Sequence, residues 1–466
     1  MNDLSRRKFL QKSSLSAAFL ATGSKLKGDT SNAFNERSGR SKYMGNFTAP
    51  KLDNIRIALI GAGARGPGHL KFTAELYGTE IVAISDLYED LVQKCAMEIS
   101  NIGKGQRHKN IATYFGDENM WRTMLSEVKP DIVFIATNWS NHALMAIEAM
   151  NQGAHTFVEV PLAVTLEEMW KIIDTSEHTH KHCMMMENVN YGREELMYLN
   201  MCRQGIIGEL LHGEAAYIHD LRFQMIQQNR GTGSWRTHQY AKRNGNLYPT
   251  HGLGPIAQYM NIGRTQDNFD SLVSFSTPTF GRQNYAKKNY PSDHKWNQLK
   301  FVGGDMNTSI IKTIIGRTIM IQWDETSPRP YTRLNLIQGT KGCLAGYPTR
   351  IALEGGVEGL TKDHHSWVQG AQLEEIFEKY DHPLYQRMNA LAKNSGHGGM
   401  DGIMLYRIVE CLQKGLPLDQ NVYEGCLWSA VGPLSEKSVK EGGTTQSFPD
   451  FTRGSWRNTT PLEIMA

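Results

Sequence analysis

Two side chains that can move protons stand three positions apart where a helix is predicted to begin. Tyr248 and His251 belong to the sequence Tyr-Pro-Thr-His-Gly, and apolar residues follow at Leu253, Ile256 and Met260. This spacing puts both side chains on one side of the first turn. Each can exchange a proton with a substrate hydroxyl, and a helix start disfavours a second proton on histidine. The pattern favours a catalytic pair with His251 as a neutral base; the alternative is a surface tyrosine and a helix-capping histidine.

A glycine-rich turn earlier in the chain has the spacing of a dinucleotide-binding site. The apolar run 55–60 leads into Gly61, Gly63 and Gly66, then a helical stretch and a second apolar run that ends at Asp86. Gly61 makes the tight turn, Gly63 admits a pyrophosphate to the backbone, and Gly66 lets the helix pack on the strand. The amide groups at the helix start attract the anion. A carboxylate about 20 residues past the glycines accepts from the ribose hydroxyls, which favours NAD over NADP. The alternative is a glycine turn in another kind of βαβ unit.

More polar groups directly follow the predicted strands of the same region. The carboxyl ends of parallel strands form the ligand-binding edge of such a sheet. For Glu159 a functional role is favoured. For His142 two interpretations stay open: a residue that meets the ligand, or a residue at a helix start without a role. Arg65 qualifies the NAD preference, because a guanidinium near the ribose tolerates a phosphate. The residues expected at this edge are Trp139, Ser140, Asn141, His142, Glu159, Val160, Pro161 and Asn188.

The elements around these residues predict an α/β chain of two domains. Short β-branched runs alternate with helical ones, which indicates a doubly wound parallel sheet, a Rossmann domain, over residues 51–188. Longer alternating runs predict an α+β domain with a largely antiparallel open sheet over residues 189–440. The polar stretch 222–246 is expected to be a long functional loop. Helices near 384–393 and 400–414 are expected to return to the first domain.

The ends of the chain are predicted to lie outside both domains. Ser5-Arg6-Arg7-Lys8-Phe9-Leu10 and the apolar run after it resemble a twin-arginine export signal. Residues 1–30 are therefore expected to be a signal peptide read by the twin-arginine machinery, with delivery to the periplasm; the alternative is a basic disordered tail. Residues 31–50 are expected to be a spacer, and residues 441–466 a C-terminal tail.

Composition limits the remaining possibilities. The chain has 466 residues, 40% of them hydrophobic, and a net charge of +3. This length can bury a large core, and the charge gives no reason to expect nucleic acid or a membrane surface as partner. No other stretch reaches membrane-spanning length. The six cysteines have no paired spacing, so free core thiols are expected at Cys95 and Cys183. The histidines lack the neighbouring ligands that would predict a metal site.

These motifs together resemble a known group of enzymes. The chain is similar to the Gfo/Idh/MocA sugar oxidoreductases, which usually carry Glu-Lys-Pro where this chain has Glu159-Val160-Pro161. The missing lysine argues against simple dehydrogenase chemistry. Within that superfamily the chain resembles glycoside hydrolase family 109, the NAD-dependent α-N-acetylgalactosaminidases, over roughly residues 50 to 450. The resemblance is carried by the valine and by the motifs at 61–66, 138–142, 187–191, 248–251 and 396–401.

The resemblance implies a cofactor, a substrate and positions for both. It implies NAD and a glycan with a terminal α-linked N-acetylgalactosamine. The residues implied to contact NAD are Ala64, Arg65, Asp86, Trp139, Ser140, Asn141, His142, Glu159, Val160 and Asn188, with Arg236, Tyr248, Pro249, Thr250 and His251 near the nicotinamide. The residues implied to line the sugar pocket are Tyr217, Arg236, Tyr248 and Tyr331.

The resemblance also implies a route without net redox, outside the usual scheme of two carboxylates. NAD takes hydride from C3 of the sugar, and the ketone acidifies the C2 hydrogen. Loss of that proton expels the C1 substituent, water adds, and the hydride returns. His251 and Tyr248 are expected to serve the C3 hydroxyl and C2–H, in either order. Glu159 is expected to position substrate or assist proton transfer, and Arg236 to steady the enolate; His397 and Asp401 are interpreted as structural partners.

Two other functions remain open at the level of sequence. The first is an exported NAD(P)-dependent sugar oxidoreductase or dehydrogenase. The second is a non-catalytic protein that senses sugar or NAD. An exposed face on the second sheet would also permit a homodimer.

Overall fold

Two β-sheets organise the part of the chain that the structure describes. This computed structural model describes residues 41–102, 108–358, 360–363, 365–462 and 464. The predicted signal peptide and residues 31–40 of the predicted spacer lie outside the described residues.

The first sheet is parallel and has the strand order β3-β2-β1-β4-β5-β6. The chain moves outward from β1 in both directions, so the order reverses between β1 and β4, and ligands bind at such a point in open α/β sheets. The strands of this sheet are β1 (Ile55–Ile60), β2 (Thr79–Ser85), β3 (Ala112–Tyr114), β4 (Ile132–Ile135), β5 (His155–Val158) and β6 (Cys183–Met185). The helices that connect them are α1 (Gly66–Glu75), α2 (Glu89–Ser100), α3 (Met120–Val128), α4 (Trp139–Asn151) and α5 (Leu166–Thr179).

The sequence of the first sheet accounts for its position in the core. Strands β4 and β5 are buried at every residue, as expected where helices cover both faces of a parallel sheet. A Thr165–Glu168 capping box begins α5, as its sequence predicts. Cys95 and Cys183 are buried in α2 and β6, also as predicted.

The second sheet is mixed and has the order β14-β13-β12-β11-β7-β10-β9-β8-β15. Strands β7 and β10 run parallel, whereas the other described pairs of this sheet are antiparallel. The predicted Rossmann sheet followed by a largely antiparallel one is thus confirmed. The strands are β7 (Leu210–Ile218), β8 (Phe269–Ser276), β9 (Asn307–Thr313), β10 (Thr318–Asp324), β11 (Leu336–Gly339), β12 (Gly342–Ala345), β13 (Arg350–Leu353), β14 (Val368–Gln369) and β15 (Gln446–Ser447).

Helices pack around the second sheet and reach back to the first. Helix α13 packs against α1, where a Cβ on Gly402 would lie 2.8 Å from the Phe72 ring. The helices of this part are α6 (Arg193–Arg203), α7 (Thr232–Lys242), α8 (Thr250–Tyr259), α9 (Gly281–Asn289), α10 (Lys295–Gln298), α11 (Leu373–Tyr380), α12 (Pro383–Ala392), α13 (Met400–Lys414), α14 (Val422–Ser429) and α15 (Val431–Lys440).

The long loop predicted over residues 222–246 is wrong in part. Residues Arg222–Ile226 form a 3-10 helix, and α7 occupies the centre of the stretch. Helix α7 buries Thr237 and Tyr240 but few aliphatic side chains. Its sequence therefore lacks the apolar stripe that identifies an amphipathic helix.

The predicted spacer and tail are also corrected where the structure describes them. Met44 and Ala49 are buried, and the Lys42 amide donates to Glu177 O at 3.1 Å. At the other end, β15 pairs with β8, and Phe451 packs edge-on against Trp170 at 4.9 Å. Both segments are therefore packed on the core through a few apolar side chains that are spaced among polar ones.

None of the described helices combines the length and apolar character that crossing a bilayer requires.

Candidate active site

The glycine turn after β1 leaves open the space that a dinucleotide needs. A Cβ on Gly63 would have no atom within 4 Å, whereas a Cβ on Gly66 would lie 2.1 Å from Gly61 O. Gly61 itself has φ +101°, and a side chain there would meet the Ala136 carbonyl at 2.5 Å. No side chain caps the start of α1. The turn is thus tightly packed at Gly61 and Gly66 and open at Gly63. This arrangement fits a pyrophosphate bound against the Gly63 backbone.

Asp86 is fixed at the end of β2, beside this turn. Its carboxylate accepts from the Ala62 amide at 2.7 Å and from the Tyr88 amide at 3.0 Å. Two backbone donors hold the carboxylate in one orientation while it keeps lone pairs for further donors. The arrangement fits the ribose hydroxyls of a nicotinamide dinucleotide.

Glu159, at the end of β5, is an ionised group in a buried setting. It accepts from Arg65 Nε at 3.0 Å and from His69 Nε2 at 2.7 Å. Burial alone would raise its pKa, but Arg65 and the hydrogen bond from His69 hold the pKa of Glu159 well below its usual range. The carboxylate is therefore charged and already paired at neutral pH.

Asp401 connects α13 to the same edge of the first sheet. Its oxygens accept from Arg65 Nη1 at 3.0 Å, Asn188 Nδ2 at 2.6 Å and His397 Nδ1 at 2.9 Å. Burial opposes its charge, but hydrogen bonds from His397 and Arg65 hold the pKa of Asp401 well below its ordinary value. Asn188 and Arg65, both predicted to bind NAD, are oriented by this one carboxylate.

The start of α4 holds one predicted cofactor residue inside the fold and contacts a helix of the second domain. His142 is fully buried; its Nδ1 lies 2.7 Å from Pro161 O and its Nε2 lies 3.2 Å from Thr137 O. Burial lowers the pKa of His142 despite these carbonyls, so the imidazole is neutral; its contact with NAD stays a prediction. Trp139 packs edge-on against Trp235 of α7, with ring centroids 5.0 Å apart.

Neighbouring predicted cofactor residues vary in exposure. Ser140 is exposed and its Oγ accepts from Gln239 at 3.3 Å, whereas Val160 is buried. The buried Thr250 Oγ1 has no hydrogen-bond partner among the described residues. Ala64 is exposed and Asn141 is partly exposed. Pro249 directly precedes α8.

Tyr248 and His251 lie together at the start of α8, as their spacing predicts. Their ring centroids are 4.9 Å apart and their planes are nearly perpendicular. His251 Nδ1 lies 2.7 Å from Oε1 of the fully buried Glu187. Burial raises the pKa of Tyr248 to about 12, although Arg236 opposes the shift. The tyrosine thus keeps its proton at neutral pH, whereas the imidazole is oriented by a carboxylate.

The predicted sugar-pocket residues surround this pair from the second sheet. Tyr217 of β7 has its ring 4.7 Å from Tyr248 and 5.2 Å from His251. Arg236 of α7 has its guanidinium carbon 4.9 Å from the Tyr248 ring. Tyr331 follows β10 and lies 6.1 Å from Tyr217. The four residues proposed from the sequence are thus brought together beside the edge that Glu159 and Asn188 occupy.

Two buried carboxylates at this site were not among the predicted residues. Glu187 could have been found, because it follows β6 directly and precedes Asn188. Glu325 follows β10 and lies 3.9 Å from Arg236 and 3.8 Å from Arg282, and Tyr240 donates to it. Burial raises the pKa of Glu325 to about 7, with Arg236 opposing the shift. No local sequence signal distinguishes Glu325, because its partners come from distant helices.

Among the described residues, no group of three or more His, Cys, Asp or Glu side chains is arranged to hold a metal ion.

The fold and this edge define the class of protein. Residues 55–187 match the model of the oxidoreductase family with an NAD-binding Rossmann fold. An NAD-binding oxidoreductase from Klebsiella pneumoniae has the same fold, with a TM-score of 0.66 at 15% identity, over 85% of this chain and 100% of that one. Levoglucosan dehydrogenase in complex with NADH and levoglucosan gives 0.61 at 17% identity, over 85% and 100%. The first domain is an NAD-binding domain of this oxidoreductase type.

The second domain identifies the family. Residues 191–458 match the model of the C-terminal domain of glycosyl hydrolase 109. Glycosyl hydrolase family 109 protein 1 of Akkermansia muciniphila is 56% identical, over 100% of this chain and 99% of the relative. A family 109 protein of a Shewanella species is 50% identical over the full length of both. The chain therefore belongs to glycosyl hydrolase family 109, which confirms the predicted resemblance and supports a glycosidase.

Proposed function

We propose that this protein is an α-N-acetylgalactosaminidase that holds NAD and hydrolyses its substrate without net redox. Family membership supports glycosidase activity, and the domain match supports NAD. The observation that carries the proposal is the Tyr248–His251 pair beside Arg236, at the edge where the glycine turn is open. When bound, NAD supplies an acceptor for the hydride on C3 of the sugar and later returns it.

The residues that would hold the cofactor are those of the glycine turn and the strand ends. The Gly63 backbone and the uncapped start of α1 suit the pyrophosphate. Asp86 suits the ribose, and its charge disfavours a 2′-phosphate. Arg65 and Asn188, which are also proposed to contact the cofactor, both donate to Asp401.

His251 is the proposed base. Glu187 accepts from its Nδ1, so the lone pair of a neutral imidazole lies on Nε2, which can take a proton from the substrate. A buried carboxylate behind the ring also stabilises the imidazolium that results. From the sequence we expect His251 and Tyr248 to share the C3 hydroxyl and C2–H; here His251 is proposed as the base for these protons, and Tyr248 as the proton donor to the leaving group.

Tyr248 is the proposed proton donor. Its pKa of about 12 keeps the hydroxyl protonated at neutral pH, so it can give a proton to the departing glycosidic oxygen. Arg236 lies over the same ring and can stabilise negative charge that develops on the sugar oxygen. Glu159 already accepts from Arg65 and His69, which suits it to orienting substrate. The net reaction breaks the C1–O bond and adds water across it.

A nitrophenyl assay tests the proposal. Purified protein is incubated with p-nitrophenyl α-N-acetylgalactosaminide, and nitrophenol and NADH are measured together. We expect nitrophenol without accumulation of NADH, and loss of turnover in His251→Ala and Tyr248→Phe. Tyr77→Phe is a matched control, because Tyr77 is exposed and precedes β2 at the opposite edge of the first sheet.

The same experiment distinguishes the other functions. Stoichiometric NADH without cleavage would make the protein a sugar dehydrogenase, a possibility that Val160 in place of the usual lysine disfavours. Unchanged ligand binding and no turnover in any variant, including the wild type, would indicate a non-catalytic sensing protein. A panel of nitrophenyl sugars then determines which α-linked sugar is preferred.

We also propose that the chain is exported by the twin-arginine route. Support comes from Arg6 and Arg7 followed by an apolar run. Replacing both arginines by lysine is expected to retain the protein in the cytoplasm, measured by cell fractionation against a periplasmic marker. Export of the double variant at the wild-type level would contradict the proposal.

A further inference from the structure

A continuous series of tyrosine rings leads from the proposed catalytic pair to the surface. It consists of Tyr248, Tyr217, Tyr331 and Tyr347, and we call it the tyrosine row. Successive ring centroids are 4.7, 6.1 and 5.7 Å apart. The first two residues are 6% and 7% exposed, and the last two are 39% and 37% exposed. The row therefore has a buried end at the proposed reacting centre and an open end in solvent.

The open end of the row is held firmly from behind. Arg333 donates to the Tyr331 hydroxyl at 2.8 Å, and its guanidinium carbon lies 5.6 Å from the Tyr331 ring and 5.1 Å from the Tyr347 ring. The buried Glu195 accepts from Arg333 at 2.7 Å. Tyr347 has φ 54°, in the left-handed region that bulky residues rarely adopt. Arg333 therefore contacts both rings, and each ring keeps a solvent-exposed surface.

The geometry points to a binding site for the leaving-group sugar, formed by Tyr347 together with Tyr331, whose ring also borders the pocket of the terminal sugar. This inference rests on the proposed function and extends it to the residue on the far side of the cleaved bond. A terminal sugar that reacts at the buried end of the row must leave the rest of its glycan along the open end. Exposed aromatic rings bury the apolar face of a pyranose while its hydroxyls stay in water. Tyr347 has no role in the sequence-based assignment of the pocket.

The local strand pairing favours a sugar over a peptide as the occupant. Tyr347 lies in the turn between β12 and β13, and these strands are hydrogen-bonded to each other. Strand β12 also pairs with β11, and β13 with β14. A peptide that adds to a sheet needs an open strand edge, whereas a pyranose needs only the ring faces.

The test compares two substrates that differ in the leaving group. One is a disaccharide with α-N-acetylgalactosamine linked to galactose; the other is α-N-acetylgalactosaminyl fluoride, whose leaving group is a single atom. We expect Tyr347→Ala to lower kcat/KM for the disaccharide roughly ten-fold, the size of one aromatic contact, and to leave the fluoride unchanged. Tyr347→Phe keeps the ring and is expected to match the wild type on both. Tyr77→Ala is the exposed control.

Each other outcome has a definite meaning. An equal loss on both substrates, or none on the disaccharide, overturns the proposed site. A third substrate, a glycopeptide with N-acetylgalactosamine on serine, tests for a peptide occupant. A loss of kcat/KM confined to this substrate also overturns the proposed sugar site. If the wild type cleaves neither substrate, the proposed function fails by itself. Calorimetric binding of the disaccharide to wild type and Tyr347→Ala then decides the site, with weaker binding to the variant expected and equal binding contradicting it.

Discussion

The individual residues of the site divide into groups that hold a proton and groups that accept one. Tyr248 keeps its proton because it is buried, and His251 is oriented by Glu187. Glu159 and Asp401 are kept charged by Arg65, although both are largely buried. Neighbouring groups with opposite tendencies are the pattern expected of acid–base sites.

Glu187→Gln is expected to slow turnover while leaving the fold intact. The amide oxygen still accepts from His251, but the charge that stabilises the imidazolium is lost. We expect kcat to fall roughly ten- to hundred-fold, part of the about 10²–10⁴-fold that a positioned base contributes. The nitrophenyl assay measures the effect, with bound NAD and thermal unfolding as controls. An unchanged kcat would mean that Glu187 has only a structural role.

Glu325→Gln is expected to change how stability depends on pH. The folded-state pKa of Glu325 is about 7, above the ordinary value of about 4.3. Between these values the folded protein binds more protons than the unfolded chain, so its stability decreases as pH rises. The variant lacks this loss, so its free energy of unfolding should increase relative to wild type from pH 5 to pH 8. Urea unfolding at both values measures it, and a constant difference would show that Arg236 keeps Glu325 ionised throughout.

At the scale of elements, the turn between β1 and α1 contains one glycine expected to matter for NAD binding and another expected to matter for stability. Gly63→Val adds a Cβ that would have no atom within 4 Å, so we expect it to reduce bound NAD at least about ten-fold by filling the pyrophosphate space without lowering stability. Gly66→Ala brings a Cβ against Gly61 O and should lower the free energy of unfolding by about 1–3 kcal/mol. NAD released on denaturation and urea unfolding measure the two effects. Gly68→Ala, in open helical surroundings, is the stability control.

The Asp401 carboxylate joins helix α13 to Arg65 and Asn188 beside the first sheet. We expect its contribution to the free energy of unfolding to depend on pH. Asp401→Asn removes one of the two carboxylates that pair with Arg65 and is expected to lower the free energy of unfolding at pH 7. The pKa of Asp401 is depressed in the folded state, so its contribution is present above the ordinary value of about 4 and is lost as pH falls below it. The difference from wild type should therefore shrink in acid. The exposed Asp293→Asn serves as control, and a pH-independent difference would contradict the argument.

The sequence predicts those parts of the molecule that depend on neighbours along the chain. The apolar strand before Gly61 and the three-residue spacing of Tyr248 and His251 are local, and both predictions hold in the structure. The contact of His251 with Glu187 and that of Arg65 with Asp401 join distant segments, so spacing alone gives no sign of them. Helix α7 is missed for another reason, since its buried face is formed by polar and aromatic side chains. The two carbonyl contacts of His142 are likewise not given by its position at a strand end, which does not reveal which way the ring turns.

At the scale of the whole molecule, the described ends of the chain are part of the core. Strand β15 extends the second sheet, and Phe451 packs on Trp170 of the first domain's α5. Phe451 is 2% exposed. The C-terminal segment therefore packs against elements of both domains.

Removal of residues 441–466 is expected to prevent stable folding. Phe451→Ala tests the same contact more gently and should lower the free energy of unfolding by about 3–5 kcal/mol, as for other buried aromatic residues. Soluble yield measures the truncation, and urea unfolding measures the substitution. Asn458→Ala, whose side chain is exposed, provides the comparison. A soluble, active truncated protein would show that this segment is dispensable.

The hydrogen bond from the Lys42 amide to Glu177 sets a limit on maturation. The Met44 amide donates to the Tyr423 hydroxyl at 3.0 Å, so the chain is anchored from residue 42 onward. A peptidase that removes the proposed signal peptide would have to cut upstream of Lys42 to leave these anchors in place. If the chain is exported as proposed, the amino terminus of the mature protein, read by mass spectrometry, should lie before that residue.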